Sequence, residues 1–236
     1  MKKQRKSGIN TREKLLRAAS AVFADKNYRD ATIAEICEKA EANIAAINYH
    51  FNDKETLYRE AWRYALAESI KVYPPDGGVR DDDTSEERLR GQINSLLHRI
   101  ADEGNKEFLI AQKEFVNPTG LLEEVIRKEL QSLHKRTEAL VGALLGPEAL
   151  ETDIKYCAIS IISQCVNPIV AKRQKTTGRD KMTDSPPGIE DIDSFARHVA
   201  RFSLAGIAAI RRERWEESKG AKEPKRKTIS QNGSKP

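Results

Sequence analysis

Apolar residues in this chain recur at steps of three and four from end to end, and no stretch alternates with period two for long. A chain patterned in this way buries helical stripes against one another, and strands are not expected. The periodicity predicts a first helix from Thr11 to Asp25, with Asn10 as N-cap and Glu13 three residues on. Its stripe is Leu15, Leu16, Ala19, Val22 and Phe23. Thr32-Ile33-Ala34-Glu35 has the form of a capping box opening a short second helix to about Ala40, with Ile33, Ile36 and Cys37 inward. Asn43 caps a third helix, Ile44 to Phe51, and Asn52-Asp53-Lys54-Glu55 begins a long fourth through Leu57, Ala61, Tyr64 and Leu66.

The stretch VYPPDGGVRDDD, residues 72–83, is dense in Pro, Gly and Asp and reads as a loop. Beyond it, amphipathic helices are expected near 84–103, 106–116 and 118–145. Pro118 suits the first helical position of the last, and Leu122, Ile126, Leu130, Leu133, Leu140 and Leu144 form its stripe. Residues 151–175 are nearly apolar all round, so this segment needs burial on more than one side, and Pro168 should bend it or free the carbonyl near Gln164. A final helix, 190–217, carries Ile192, Phe195, Val199, Phe202 and Ile210. Between the two, TTGRDKMTDSPPG is expected to be a long mobile loop. The apolar run from Ile154 to Ala171 is broken by Lys155, Gln164, Asn167 and Pro168 and is not read as a membrane span. No apolar run follows MKKQRKSGIN, so no signal peptide is read there and a cytosolic protein without membrane attachment is expected.

The net charge of +5 over 236 residues is uneven. Lys2, Lys3, Arg5 and Lys6 stand without an acid at one end, six basic residues with only Glu223 fill 218–236 at the other, and the body between them is slightly acidic. Within 9–54 seven basic residues balance seven acidic ones, so attraction to a polyanion must come from placement rather than bulk charge.

Two short helices joined by a tight turn have the proportions of a helix-turn-helix. On the second, Ile47 and Phe51 lie four apart and face a core, which leaves Ile44, Ala45 and Asn48 on another face, able to reach base edges. An asparagine amide pairs with adenine, and small apolar side chains meet a thymine methyl. Tyr49, His50 and Lys54, with the helix N-terminus at Thr32, suit phosphate oxygens. The basic arm Lys2, Lys3, Arg5 and Lys6 is read either as a minor-groove element or as a solvated tail.

Residues 10–62 resemble the DNA-binding domain of the TetR family nearly element for element. The likeness covers a helix ending in Phe23, the Thr32 cap, the Ile36–Ala40 turn and a YHF-x-x-KExLY signature from Tyr49 to Tyr58. NIAAINYHF at 43–51 and FVNPTGLLEEVIRKEL at 115–130 are similar to its CecR-like branch and extend the likeness, more weakly, to about residue 215. The resemblance implies an all-α fold, an N-terminal three-helix bundle with the helix-turn-helix followed by a larger helical domain for ligand binding and dimerisation. It also implies a homodimer on a palindromic double-stranded DNA operator, acting as a transcriptional regulator and most often a repressor. A small-molecule effector would bind in the C-terminal domain. The division expected is a flexible basic arm at 1–9, the DNA-binding domain at 10–54, the helical domain at 55–217 and a disordered basic tail at 218–236. Many members have Gly where this chain has Glu41, which leaves the conformation of that turn open.

For the C-terminal domain, helices 151–175 and 190–217 are candidates for the dimer interface, or else simply the core of one chain. Phe108, Gln112, Phe115 and Gln164, with Asn167, are candidates to line an effector cavity, or else ordinary exposed positions. His50, His98, His134 and His198 come with no nucleophile elbow, phosphate loop or metal spacing, so neither an enzyme, a metal site nor a cofactor beyond the effector is expected. Cys37, Cys157 and Cys165 form no CxxC pair and are read as fillers of helix faces, the alternative being an exposed redox thiol.

Overall fold

The N-terminal helices start where side chains replace the missing backbone partners. In the computed structural model the backbone of residues 2–176, 189 and 191–222 is described, with the side chains of 11–171, 189 and 191–219. Among the described residues the structure holds helices and no strand. They are α1 Lys2–Asp25, α2 Ile33–Ala40, α3 Ile44–Phe51, α4 Lys54–Val72, α5 Ser85–Ala101, α6 Lys106–Val116, α7 Glu123–Leu145, α8 Glu151–Thr176 and α9 Ile192–Lys222. Thr32 and Thr84 each close a capping box, on Glu35 and Glu87, while Asn43, Asp53 and Asn105 cap α3, α4 and α6 through one side-chain oxygen.

Three boundaries depart from the sequence reading. α1 begins at Lys2, so Asn10 lies inside the helix and does not cap it, and the backbone of 2–9, expected as a flexible arm, is helical. Lys, Gln and Arg there are good helix formers, so the packed turns further on can propagate back through them. The side chains of Lys2, Lys3, Arg5 and Lys6 lie outside the described residues. α7 opens at Glu123 rather than Pro118. The buried Glu114 carboxylate accepts from the backbone N–H of Thr119 (2.9 Å) and Gly120 (3.0 Å), and the turn that wraps it needs positive φ at Gly120. α9 continues past Trp215, where the Lys219 ammonium stands 3.7 Å from the ring centroid. The expected mobile loop at 177–188 and the tail at 223–236 lie outside the described residues.

Burial falls into two cores. The first gathers Leu15, Leu16, Ala19, Val22 and Phe23 of α1 with Ile36, Ile47, Phe51, Leu57, Tyr58, Ala61 and Trp62, then takes in Ile110, Leu122 and Val125 from α6 and the start of α7. Packing therefore groups α4 with α1–α3 rather than parting the chain between residues 54 and 55. The second core joins Leu89, Ile93 and Leu97 of α5 to Val141, Leu145, Ile161, Cys165, Ile169, Val199 and Ile207. α6 reaches both, Ile110 inward to the first and Phe108 against the second.

α8 runs helical through Pro168. By length and mean hydropathy Glu151–Ala171 does meet what a membrane span requires, although its interruptions argued otherwise. One face is nonetheless committed to the second core through Cys157, Ala158, Ile161, Cys165 and Ile169. Arg214 of α9 clasps Asp153 near its start with two hydrogen bonds, 2.6 and 2.9 Å. All three cysteines are buried free thiols, and burial pushes each up, Cys165 to about 12, which opposes the thiolate a redox sensor needs.

Candidate nucleic-acid interface

The turn between α2 and α3 is set by Glu41. Its φ of 52° and ψ of 44° are left-handed, and its N–H reaches the carbonyls of Cys37 and Glu38. A non-glycine residue therefore takes the conformation that glycine adopts without cost, and the side chain lies exposed beside Lys14, 3.7 Å away. Asn43 Oδ1 accepts from the Ala46 N–H at 2.9 Å and starts α3. Ile47 and Phe51, 1% and 2% exposed, pin the helix to the first core. The Arg12 guanidinium sits over the outer face of Phe51, 5.3 Å from the ring centroid, while pairing with Glu60 at 2.9 Å.

With Ile47 and Phe51 inward, Ile44, Ala45 and Asn48 are all exposed, Ile44 by 55%. They form one continuous strip on the outer face of α3, where the helix period places them. Tyr49 is exposed by 83%, and its ring meets His50 edge-on at 4.9 Å. The strip and the tyrosine are shaped as a groove-reading helix is, with short side chains at the centre and a hydroxyl at the flank.

Two of the expected phosphate contacts are otherwise engaged. The Thr32 hydroxyl accepts from the Glu35 N–H and donates to the Glu35 carboxylate at 3.1 Å, and that carboxylate pairs with Lys26. The Lys26 ammonium first, then the Thr32 donors, hold Glu35 below the usual carboxylate range. Lys54 rests over the Tyr28 ring, 4.6 Å from its centroid, and partial burial lowers its pKa. Tyr28 in turn packs on Tyr58 at 4.9 Å, and Tyr58 on Phe23 at 4.7 Å. Sequence reasoning did not find Arg12 or Tyr28. Both act across the bundle from residues far along the chain, and spacing carries no sign of that.

Hydrogen bonds fasten this head to α6 and α7. The Tyr58 hydroxyl donates to Glu114 at 3.1 Å and Trp62 Nε1 to the Glu107 carbonyl at 3.2 Å, both buried. Arg59 Nε donates to the Leu121 carbonyl, and Arg63 Nε to Glu129 of α7 at 3.0 Å. Burial first, then the facing Glu114, push the Tyr58 phenol far up, so it remains a donor. A shift of α6 or α7 is thus felt by α4.

The residues proposed for an effector cavity are not gathered. Phe115 is 79% exposed and lines no interior of this chain, and Gln164 folds back onto the Ser160 carbonyl of its own helix. Phe108 is half-buried against the second core, and Gln112 is half-exposed.

Comparison with known proteins agrees with both halves of the structure. Residues 15–61 match the family model for bacterial regulatory proteins of the tetR family. Residues 85–207 match that for the C-terminal domain of the HTH-type transcriptional dual regulator CecR. The HTH-type transcriptional dual regulator CecR of Shigella flexneri is 27% identical over 61% of this chain and 69% of its own length. The HTH-type regulator YerO of Bacillus subtilis is 21% identical over 84% of this chain and 68% of its own. Among solved structures, the fatty acid degradation regulator FadR of Bacillus halodurans superposes with a TM-score of 0.62 at 17% identity, covering 82% of this chain and 97% of that one. A TetR-like regulator from Rhodococcus sp. RHA1 gives 0.58 at 16% identity, covering 84% and 96%.

Proposed function

The chain belongs to the TetR family of bacterial transcriptional regulators, with a C-terminal domain of the CecR type, and from that premise we propose a cytosolic repressor. It binds a palindromic operator as a homodimer, and a small-molecule effector sets its grip. The observation that carries the reading is the outer face of α3, where Ile44, Ala45 and Asn48 stand exposed on a helix whose other face is locked by Ile47 and Phe51. A reading helix must present bases with groups that do not move, and burial of the opposite face provides that.

Dimerisation is supported by apolar surface on α8 and α9 that one chain leaves uncovered: Tyr156 is 67% exposed, Ile159 60% and Phe202 63%. To enter successive major grooves, the two α3 helices of such a pair must lie about 34–36 Å apart. An effector that prefers one head separation would then alter affinity through α6, α7 and the bonds from Tyr58, Trp62 and Arg63.

Selection of bound sequences from a random DNA pool tests this reading. Recovery of an inverted repeat is expected, and Asn48→Ala should relax preference at one position per half-site at a cost of about 1–3 kcal/mol for the favoured base. Tyr49→Phe, which removes an exposed hydroxyl at the flank of the strip, should weaken every sequence alike. A pool that shows no enrichment, or Asn48→Ala losses equal for all sequences, would contradict the assignment.

A further inference from the structure

The described surface holds a cleft of about 310 Å³ between α5 and α7, roofed by the loop that follows α4. Its walls come from a single face of each helix. Arg88 and Gln92 lie on α5, Arg136, Leu140 and Ala143 on α7, with Pro75 above. The roof is fixed in place. Ser95 Oγ donates to the Pro74 carbonyl at 2.6 Å, and the loop approaches Gly91 so closely that a Cβ there would lie 2.4 Å from Val79 Cγ2 and 2.7 Å from the Asp76 carbonyl oxygen.

Two polar groups in this cleft have unmet capacity. Arg136, exposed on α7, makes no ion pair or hydrogen bond among the described residues, whereas Arg88 across the cleft stands 3.6 Å from Asp81. Gln92 spends its Nε2 on Thr137 Oγ1 at 2.6 Å and leaves Oε1 buried without a donor. The terminal amide torsion is soft, so rotation about it, in exchange for the bond to Thr137, carries that oxygen toward the cleft Gln92 already lines. Asp76 and Asp81 also line the cleft, and neither pairs with Arg136. Asp76 accepts from the Gly78 N–H, and Asp81, with its side chain 97% exposed, stands 3.6 Å from Arg88. Leu140, Ala143 and Pro75 add an aliphatic wall to the same cleft.

We propose that this cleft binds a small organic carboxylate that also carries a hydroxyl, of the hydroxyaryl carboxylate class. The carboxylate lies on the Arg136 fork, the hydroxyl donates to Gln92, and the ring covers Leu140 and Ala143. A rigid ring suits the slot because it loses little freedom on binding. That such a ligand acts as the effector rests on the function proposed above; that it binds does not. The consequence for DNA would run along α7, which Arg63 ties to α4 through Glu129.

The test is calorimetric titration of the full chain with 4-hydroxyphenylacetate, phenylacetate and 4-methylphenol. The first should bind with Kd on the order of 0.1 mM, and each of the others, lacking one group, about tenfold more weakly. Arg136→Gln should abolish the preference over 4-methylphenol, and Gln92→Leu the preference over phenylacetate. Arg127→Gln, an exposed change on α7 away from the cleft, should alter neither. No binding at several times that concentration, or equal losses in Arg127→Gln and Arg136→Gln, would overturn the site. Operator affinity measured with saturating 4-hydroxyphenylacetate separates the two claims. Binding without a change in operator affinity keeps the site and removes its effector role, whereas an operator response that survives Arg136→Gln overturns this site and keeps an effector elsewhere.

Discussion

α3 and α9 both expose large apolar side chains, and the surroundings of those side chains give them opposite meanings. α3 is short, capped by Asn43 at its start, and buries Ile47 and Phe51 almost completely, so Ile44 and Tyr49 project from a helix already held in place. α9 and α8 are long, and Phe202, Tyr156 and Ile159 remain exposed in the same region where Val199, Ile207 and Ile161 fill a core. The head is complete within one chain, whereas the body has more apolar surface than one chain covers. An exposed apolar group on a finished helix reads as a contact for something smaller, and a repeated one on a long helix reads as an interface.

Charging the long helices should break the comparison most severely. Phe202→Glu combined with Ile159→Glu should leave the helical content near that of the parent, yield monomers in sedimentation, and lower operator affinity by more than about 100-fold, because a single head keeps only its own half of the contacts. Dimers that persist would place the interface elsewhere.

Next in size is the joint between head and body. Glu114→Ala leaves the Tyr58 hydroxyl and the N–H groups of Thr119 and Gly120 without their shared acceptor, and should cost about 3 kcal/mol in denaturant unfolding. Tyr58→Phe, which removes one donor and keeps the ring, should cost only about 1 kcal/mol. If both cost the same, the turn does not depend on the carboxylate.

Glu41→Gly should sharpen the picture of the head as self-sufficient. It relieves a left-handed residue and gives up a surface pair with Lys14, so a gain of about 0.5–1 kcal/mol is expected in thermal unfolding. A loss would mean the glutamate contributes more than its backbone conformation costs.

The smallest effect is with pH. Lys26, then Thr32, depress Glu35 in the head, the Thr56 N–H depresses Asp53, and Arg214 depresses Asp153 in the body. A depressed carboxylate contributes stability that is present above its unfolded value, about 4, and is lost as pH falls through the folded value. Circular dichroism should stay level from pH 7 to about 5 and decline below about 4 in both regions together. A decline beginning near pH 6 would contradict the assignment to these carboxylates.

Much of the head was legible because its signals are local. Thr32 with Glu35, Asn43 and Asp53 each act within three residues, so the starts of α2, α3 and α4 follow from the chain itself. The start of α7 was not, because Glu114 shapes 117–121 only after tertiary burial deprives its carboxylate of water. Asn10 misled for a different reason: a capping residue marks a helix start only where helix does not continue before it, and the good helix formers at 2–6 carry α1 back past Asn10 in spite of Gly8. At the interface the outer strip of α3 followed from period alone, whereas the engagement of Lys54 by Tyr28 joins residues that no periodicity relates. Of the two readings the sequence leaves open for Phe115, a cavity wall or an exposed position, the second fits its place outside both cores.

On the proposed function, a head complete in one chain grips its operator only when a second chain fixes its partner at a set distance. Fluorescence anisotropy of labelled operators tests it directly, comparing the selected inverted repeat with the same half-sites moved apart by half a helical turn, about 5 base pairs. The parent protein should lose at least about tenfold in affinity on the displaced repeat, while the Phe202→Glu, Ile159→Glu protein should bind the two alike and weakly. Equal, tight binding of the parent to both spacings would contradict it.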